Sequence, residues 1–276
     1  MNTLLIVPTL LLLLSQQSPD LSLPLIPAQK NQDFINQETV WKGFKRRDTI
    51  IAGRDALVIY PHKKAKGTPW IWRTEFFGHE PQADSVLLTK GFHLVYIDVQ
   101  NMYGAPKALN IMTDFYNYLV NEEHLHKKPV LEGFSRGGLF AMNWAAQNPD
   151  KTGCIYLDAP VCDFKSWPGS NKDFAEDWKL LKKAYGFQSD EEAMKYPFNP
   201  IDNLQPLADH NIPILSICGT EDVLVPISNN SGLMKTRYKK LGGKMTIIEK
   251  RGVGHHPHSL KDPSPIVKFI LKKRLR

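Results

Sequence analysis

Hydrophobic positions fall into two rhythms along this chain. Short apolar runs at 40–44, 49–52, 56–60 and 69–73 read as strands, with Gly53 marking a turn between two of them. From there helix-period stretches alternate with strand-like runs. Helices are expected at 82–90, 108–120, 138–147, 231–241 and 265–271, and strands at 92–98, 129–132, 154–157, 212–218 and 245–249. A mixed segment from 164 to 209, carrying Trp167, Phe174, Trp178, Tyr185, Phe187, Tyr196 and Phe198, interrupts the alternation. Strands separated by helices of this length imply βαβ units and a largely parallel sheet. The opening strands lack intervening helices, so that end of the sheet is expected to be antiparallel.

Composition narrows the class. The chain has 276 residues, 42% of them hydrophobic and 23% charged, the proportions of a globular protein able to bury a core. The net charge of +7 is spread over small clusters that no aromatic residues interleave, which reads as a solvated surface and argues against a nucleic-acid partner. Residues 4–14 are almost wholly apolar, too short a stretch to span a bilayer and suited to a signal peptide. The expected organisation is a signal peptide at 1–18, a Pro-, Gln- and Ser-rich linker at 19–38, and one domain at 39–276. A secreted or periplasmic location follows, with no membrane span once the signal is removed. Cys154 and Cys218 lie in apolar runs and read as buried thiols; Cys162 has a pairing open to it if the protein is exported.

The chemistry concentrates where strands end. Gly133-Phe134-Ser135-Arg136-Gly137 follows an apolar run and precedes a helix, and fits the nucleophile-elbow pattern G-x-S-x-G. The strand at 212–218 ends in Gly219-Thr220-Glu221-Asp222, and Asp222 is the expected acid, with Glu221 the local alternative and Asp158 a second possible acid. The strand at 245–249 runs into Gly252-Val253-Gly254-His255-His256-Pro257-His258. His255 is the expected base, because imidazole titrates near neutrality. Metal ligation by these histidines is not expected, since Pro257 breaks the helical spacing that would pair His255 with His258. His256 and His258 read as packing or substrate-side residues.

In the order Ser135, Asp222, His255, each placed after a different strand, the chain resembles the α/β-hydrolase superfamily from about residue 40 onward, including its serine esterases and prolyl-oligopeptidase-like hydrolases. The resemblance implies a mostly parallel eight-stranded sheet flanked by helices, with a helical cap at about 164–209 inserted after the sixth strand. It implies an oxyanion hole built from the backbone N–H of Arg136 and a second donor within 74–76, for which Glu75 is the choice. Arg73 is placed to reach an anionic or sugar substrate, or to pair with Glu75, and Trp167 to contact substrate from the cap. The expected activity is carboxylic-ester hydrolysis, on a small-molecule or carbohydrate ester, with neither cofactor nor metal. The alternatives are a small serine peptidase of the same fold and a non-catalytic binding protein that kept it.

Overall fold

The computed structural model describes residues 38–273. The expected signal peptide and nearly all of the linker lie outside the described residues. Among the described residues, nine strands form one sheet in the order β1-β2-β3-β5-β4-β6-β7-β8-β9. β1 (Glu38–Trp41), β2 (Phe44–Ile51) and β3 (Arg54–Ile59) are antiparallel neighbours, and β3 pairs antiparallel with β5 (His93–Ile97). β5, β4 (Trp70–Arg73), β6 (Val130–Phe134), β7 (Cys154–Asp158), β8 (Ile214–Gly219) and β9 (Met245–Lys250) run parallel.

Two details differ from expectation. The sheet has nine strands instead of eight, and the apolar run 40–44 is not one strand but the site of a turn. Lys42 and Gly43 both take positive φ (+48° and +85°), as do Ala52 and Gly53 (+50° and +72°). Paired positive φ values are the geometry of two-residue hairpins whose twist matches the strands they join.

Side chains alternate across the strands with period two, and the two sides build separate cores. Val58, Trp70, Trp72, Val95, Leu131, Ile155 and Ile214 face one side, under α2 (Pro106–Asn121), α3 (Gly137–Gln147) and α7 (Ser231–Lys240). Leu57, Ile59, Ile71, Leu94, Val130, Tyr156 and Leu215 face the other, under α1 (Gln82–Thr89) and α8 (Ser264–Lys273). Between β7 and β8 lie α4 (Ala175–Tyr185), α5 (Asp190–Met194) and α6 (Gln205–Asp209). Leu207 and Ala208 of α6 belong to the main core, so the part of the insertion with its own core is shorter than 164–209. That smaller core joins Phe164, Trp167 and Leu181 to Tyr103, Leu139 and Val225.

No helix among the described residues is long and apolar enough to cross a membrane. Cys154, Cys162 and Cys218 are all buried free thiols, so Cys162 makes no intrachain disulfide.

Candidate active site

The elbow is held by close backbone packing. Ser135 sits between β6 and α3 with φ of +48°, a left-handed conformation that costs an L-residue about 1–2 kcal/mol. Its neighbours stabilise it there. Ser135 N–H donates to the Asp158 carbonyl at 2.9 Å, and the Ser135 carbonyl accepts from Gly138 N at 3.0 Å and Val161 N at 2.8 Å. A Cβ on Gly133 would lie 2.8 Å from the Gly137 carbonyl oxygen, and one on Gly138 would lie 2.7 Å from Pro160 Cβ. These glycines are therefore a steric condition for strand and helix to meet at the serine.

The loops after β8 and β9 bring the acid and the imidazole to that serine. A Cβ on Gly219 would lie 2.2 Å from the carbonyl oxygens of Val253 and Gly254, so the bare glycine lets the two loops touch. His255 Nε2 lies 2.9 Å from Ser135 Oγ, and His255 Nδ1 lies 2.8 Å from Asp222 Oδ2. Asp222 is buried, and its other oxygen accepts from Leu224 N at 3.0 Å and Val225 N at 2.8 Å. With Nδ1–H given to the carboxylate, the Nε2 lone pair is left facing the serine hydroxyl. Glu221, the local alternative, is exposed and offers its backbone N–H to the Val253 carbonyl.

Asp158 is engaged elsewhere. Its carboxylate accepts from His258 Nδ1 at 2.9 Å, Ser259 N at 2.8 Å and the Tyr156 hydroxyl at 3.1 Å. The result is a second His–carboxylate pair beside the first, with the rings of His255 and His258 5.0 Å apart. His256 stands 4.7 Å from His258, and burial followed by the neighbouring imidazoles holds its pKa below the ordinary histidine value.

Next to the serine, Glu75 and Arg136 meet through their side chains. Arg136 Nε and Nη2 lie 2.9 Å and 2.8 Å from Glu75 Oε1. Glu75 is buried, and burial raises its pKa to about 7 against the opposing pull of Arg136. The backbone N–H groups of Glu75 and Arg136 donate to no acceptor among the described residues. Thr74 holds this strand end against the elbow: its hydroxyl lies 3.0 Å from the Glu132 carbonyl and 2.9 Å from that of Gly137.

Arg73 and Trp167, expected at the substrate, are both buried side chains. Arg73 is fully buried and reaches neither solvent nor Glu75. Its guanidinium donates to Asp84 Oδ2 and to the His79 carbonyl, both at 2.8 Å, lies 3.6 Å from Glu132 Oε2, and stacks 3.9 Å from the Phe134 ring centroid. Burial opposes its charge, but Asp84 and Glu132 outweigh burial and leave its pKa raised. Trp167 is also buried, packed edge-on to Phe174 with ring centroids 5.5 Å apart, and belongs to the insertion's core.

Sequence reasoning named Thr74 only within the 74–76 backbone, and passed over its hydroxyl, Asp177 and the imidazole of His79. Asp177, on α4, accepts from the Tyr103 hydroxyl at 2.7 Å and lies 3.5 Å from Arg136 Nη1. It carries no local signal, because an acid in a first helical turn is common for its own reasons.

The fold resembles Pyrococcus horikoshii acylaminoacyl peptidase (16% identity, TM-score 0.65, 84% of this chain and 42% of that one). It also resembles Porphyromonas gingivalis dipeptidyl peptidase 4 (12%, 0.63, 87% and 36%) and Est1E from Butyrivibrio proteoclasticus (18%, 0.61, 86% and 98%). The chain thus spans less than half the length of either peptidase. No curated protein sequence matches it. The model of the prolyl oligopeptidase family matches residues 109–272, more than half of the chain and a span that contains Ser135, Asp222 and His255. The chain belongs to the prolyl oligopeptidase family and has the α/β-hydrolase fold.

Proposed function

We propose that this chain hydrolyses carboxylic esters with Ser135 as nucleophile. The hydrogen-bonded line from Ser135 Oγ through His255 to Asp222, at 2.9 and 2.8 Å, carries the reading. His255 Nε2 takes the hydroxyl proton as Ser135 Oγ attacks the ester carbonyl, while Asp222 holds Nδ1–H and offsets the imidazolium charge. The oxyanion rests on the backbone N–H groups of Arg136 and Glu75. Collapse of the tetrahedral intermediate breaks the bond to the alcohol, which leaves with the proton from His255. Water then gives a proton to His255 and attacks the acyl-enzyme, and Ser135 is regenerated.

Extent of likeness supports ester over peptide: a putative lipase from Acinetobacter baumannii is covered over 92% of its length, the two peptidases over 42% and 36%. The matched family model, that of a peptidase family, favours the second reading, a serine peptidase of the same fold. Turnover of a chromogenic acetate ester and of aminoacyl amides, measured side by side, tests both. We expect faster turnover of the ester, and a fall in kcat of about 10⁴–10⁶-fold in Ser135→Ala. Full activity in that variant overturns the assignment of Ser135, and preferential amide cleavage overturns the ester reading.

A further inference from the structure

Beside His255 lies a group of imidazoles that the proposed reaction does not use. The nitrogen donors of His79, His256 and His258 lie within 4.8 Å of one another, the one such group of three metal-type donors among the described residues. His255 is not a member, because both of its nitrogens are engaged with Ser135 and Asp222. We propose that His79, His256 and His258 form a binding site for a zinc-class divalent ion, an inference independent of which residue is the nucleophile.

The supports of these rings are those a metal site needs. His258 is buried and gives Nδ1 to Asp158 Oδ1 at 2.9 Å, which leaves Nε2 as its remaining donor. A carboxylate behind a histidine fixes ring orientation and tautomer and raises the basicity of the ligating nitrogen, one of the arrangements that recur behind metal-bound histidines. Asp158 is itself held by Ser259 N and the Tyr156 hydroxyl, so the carboxylate is a fixed part of the fold. His79 is anchored through its backbone, with its carbonyl accepting from buried Arg73 at 2.8 Å and its N–H donating to the Phe76 carbonyl at 3.1 Å. Lys250 donates to the Pro257 carbonyl between the other two histidines and lies 3.9 Å from Asp158 Oδ1.

Donor chemistry selects the ion. Three imidazoles and no carboxylate suit zinc and its late first-row neighbours and do not suit calcium or magnesium, which require oxygen. Tetrahedral zinc at about 2.0–2.1 Å from nitrogen sets its donors roughly 3.3 Å apart. His79 and His256, which are exposed, would close on the buried His258 from donor separations within 4.8 Å. Three protein ligands leave a fourth position open. Bound there, the ion ties the turn after β4, which carries His79, to the loop after β9, which carries His255.

Titration calorimetry of the tag-free protein with zinc chloride tests this, with cobalt chloride as a spectroscopic stand-in. One zinc per chain is expected at micromolar affinity or tighter, with the visible cobalt bands of a nitrogen-rich tetrahedral site. His79→Ala and His256→Ala are each expected to weaken zinc binding by about tenfold or more. His79→Gln repeats the first test with a side chain closer in bulk. Thermal melts in EDTA establish that each variant is folded, because His79 and His256 are exposed and outside the cores. Absence of saturable one-to-one binding overturns the proposal, and so do folded variants that bind zinc as the parent does.

Discussion

Glu75 carries a conflict that a single substitution can expose. It is 1% exposed, and its second carboxylate oxygen has no hydrogen-bond partner, so ionising it is costly even beside Arg136. The carboxyl pKa rises from the usual 4.5 to about 7, mainly through burial. Below pH 4.5 the group is protonated in the folded and the unfolded chain alike. Between pH 4.5 and 7 the unfolded chain releases the proton while the folded one keeps it, so folding stability falls as pH rises through this window and levels off above it. The slope is on the order of 1 kcal/mol per pH unit. Glu75→Gln removes the titrating group, so the stability of that variant relative to the parent should rise steadily from pH 4.5 to 7 in urea unfolding. Parallel curves for the two proteins would show that Glu75 titrates as an ordinary carboxylate.

Among the elements, the elbow makes the sharpest demand. A Cβ at position 138 would meet Pro160 Cβ at 2.7 Å and the Val161 carbonyl at 2.8 Å, backbone-linked atoms that have little freedom to yield. Gly138→Ala should therefore push the first turn of α3 away from the loop after β7 and cost about 1–3 kcal/mol by overpacking. It should also slow labelling of Ser135 by a fluorophosphonate, since the Gly138 N and Val161 N bonds to the Ser135 carbonyl set the apex. A variant as stable as the parent and labelled as fast would mean the helix shifts freely. This junction was legible in the sequence because glycine spacing reports local crowding, and the same is true of the strands and helices whose faces alternate with period two or 3.6. β2 was less legible. Its Lys45-Arg46-Arg47-Asp48 segment has no apolar rhythm, because these charges are satisfied laterally, Arg46 by Asp48 and Arg47 by Tyr118 and Glu123. The burial of Arg73 was not legible for a related reason. Its partners Asp84 and Glu132 come from a helix and a strand elsewhere in the chain, and no local pattern announces that an arginine will be enclosed. The imidazole trio was hidden likewise, since His79 joins the 255–258 loop only through the folded sheet.

Across the whole molecule, the insertion between β7 and β8 is linked to the nucleophile by a short polar chain. Its apolar core joins Phe164, Trp167 and Leu181 to Tyr103, Leu139 and Val225 of the main body. The polar link runs from Glu75 through Arg136 to Asp177 on α4, with the Tyr103 hydroxyl closing on the same carboxylate. Arg136 is thereby held between a carboxylate of the main body and one of the insertion, with its guanidinium 5.3 Å from the Phe76 ring centroid and 5.5 Å from that of Tyr103. If the insertion forms one wall of the substrate site, as the resemblance implies for a cap, releasing Asp177 should loosen that wall and leave the reacting atoms in place. Asp177 is partly exposed, so its two contacts are worth only about 1 kcal/mol together, against an apolar interface that stays intact. Asp177→Ala is therefore expected to raise KM for a chromogenic ester by roughly fivefold, the equivalent of that energy, with kcat within about twofold of the parent. A comparable fall in kcat with KM unchanged would instead mean that Asp177 positions Arg136, and through it the oxyanion donors, so that the link serves the chemistry and not the wall.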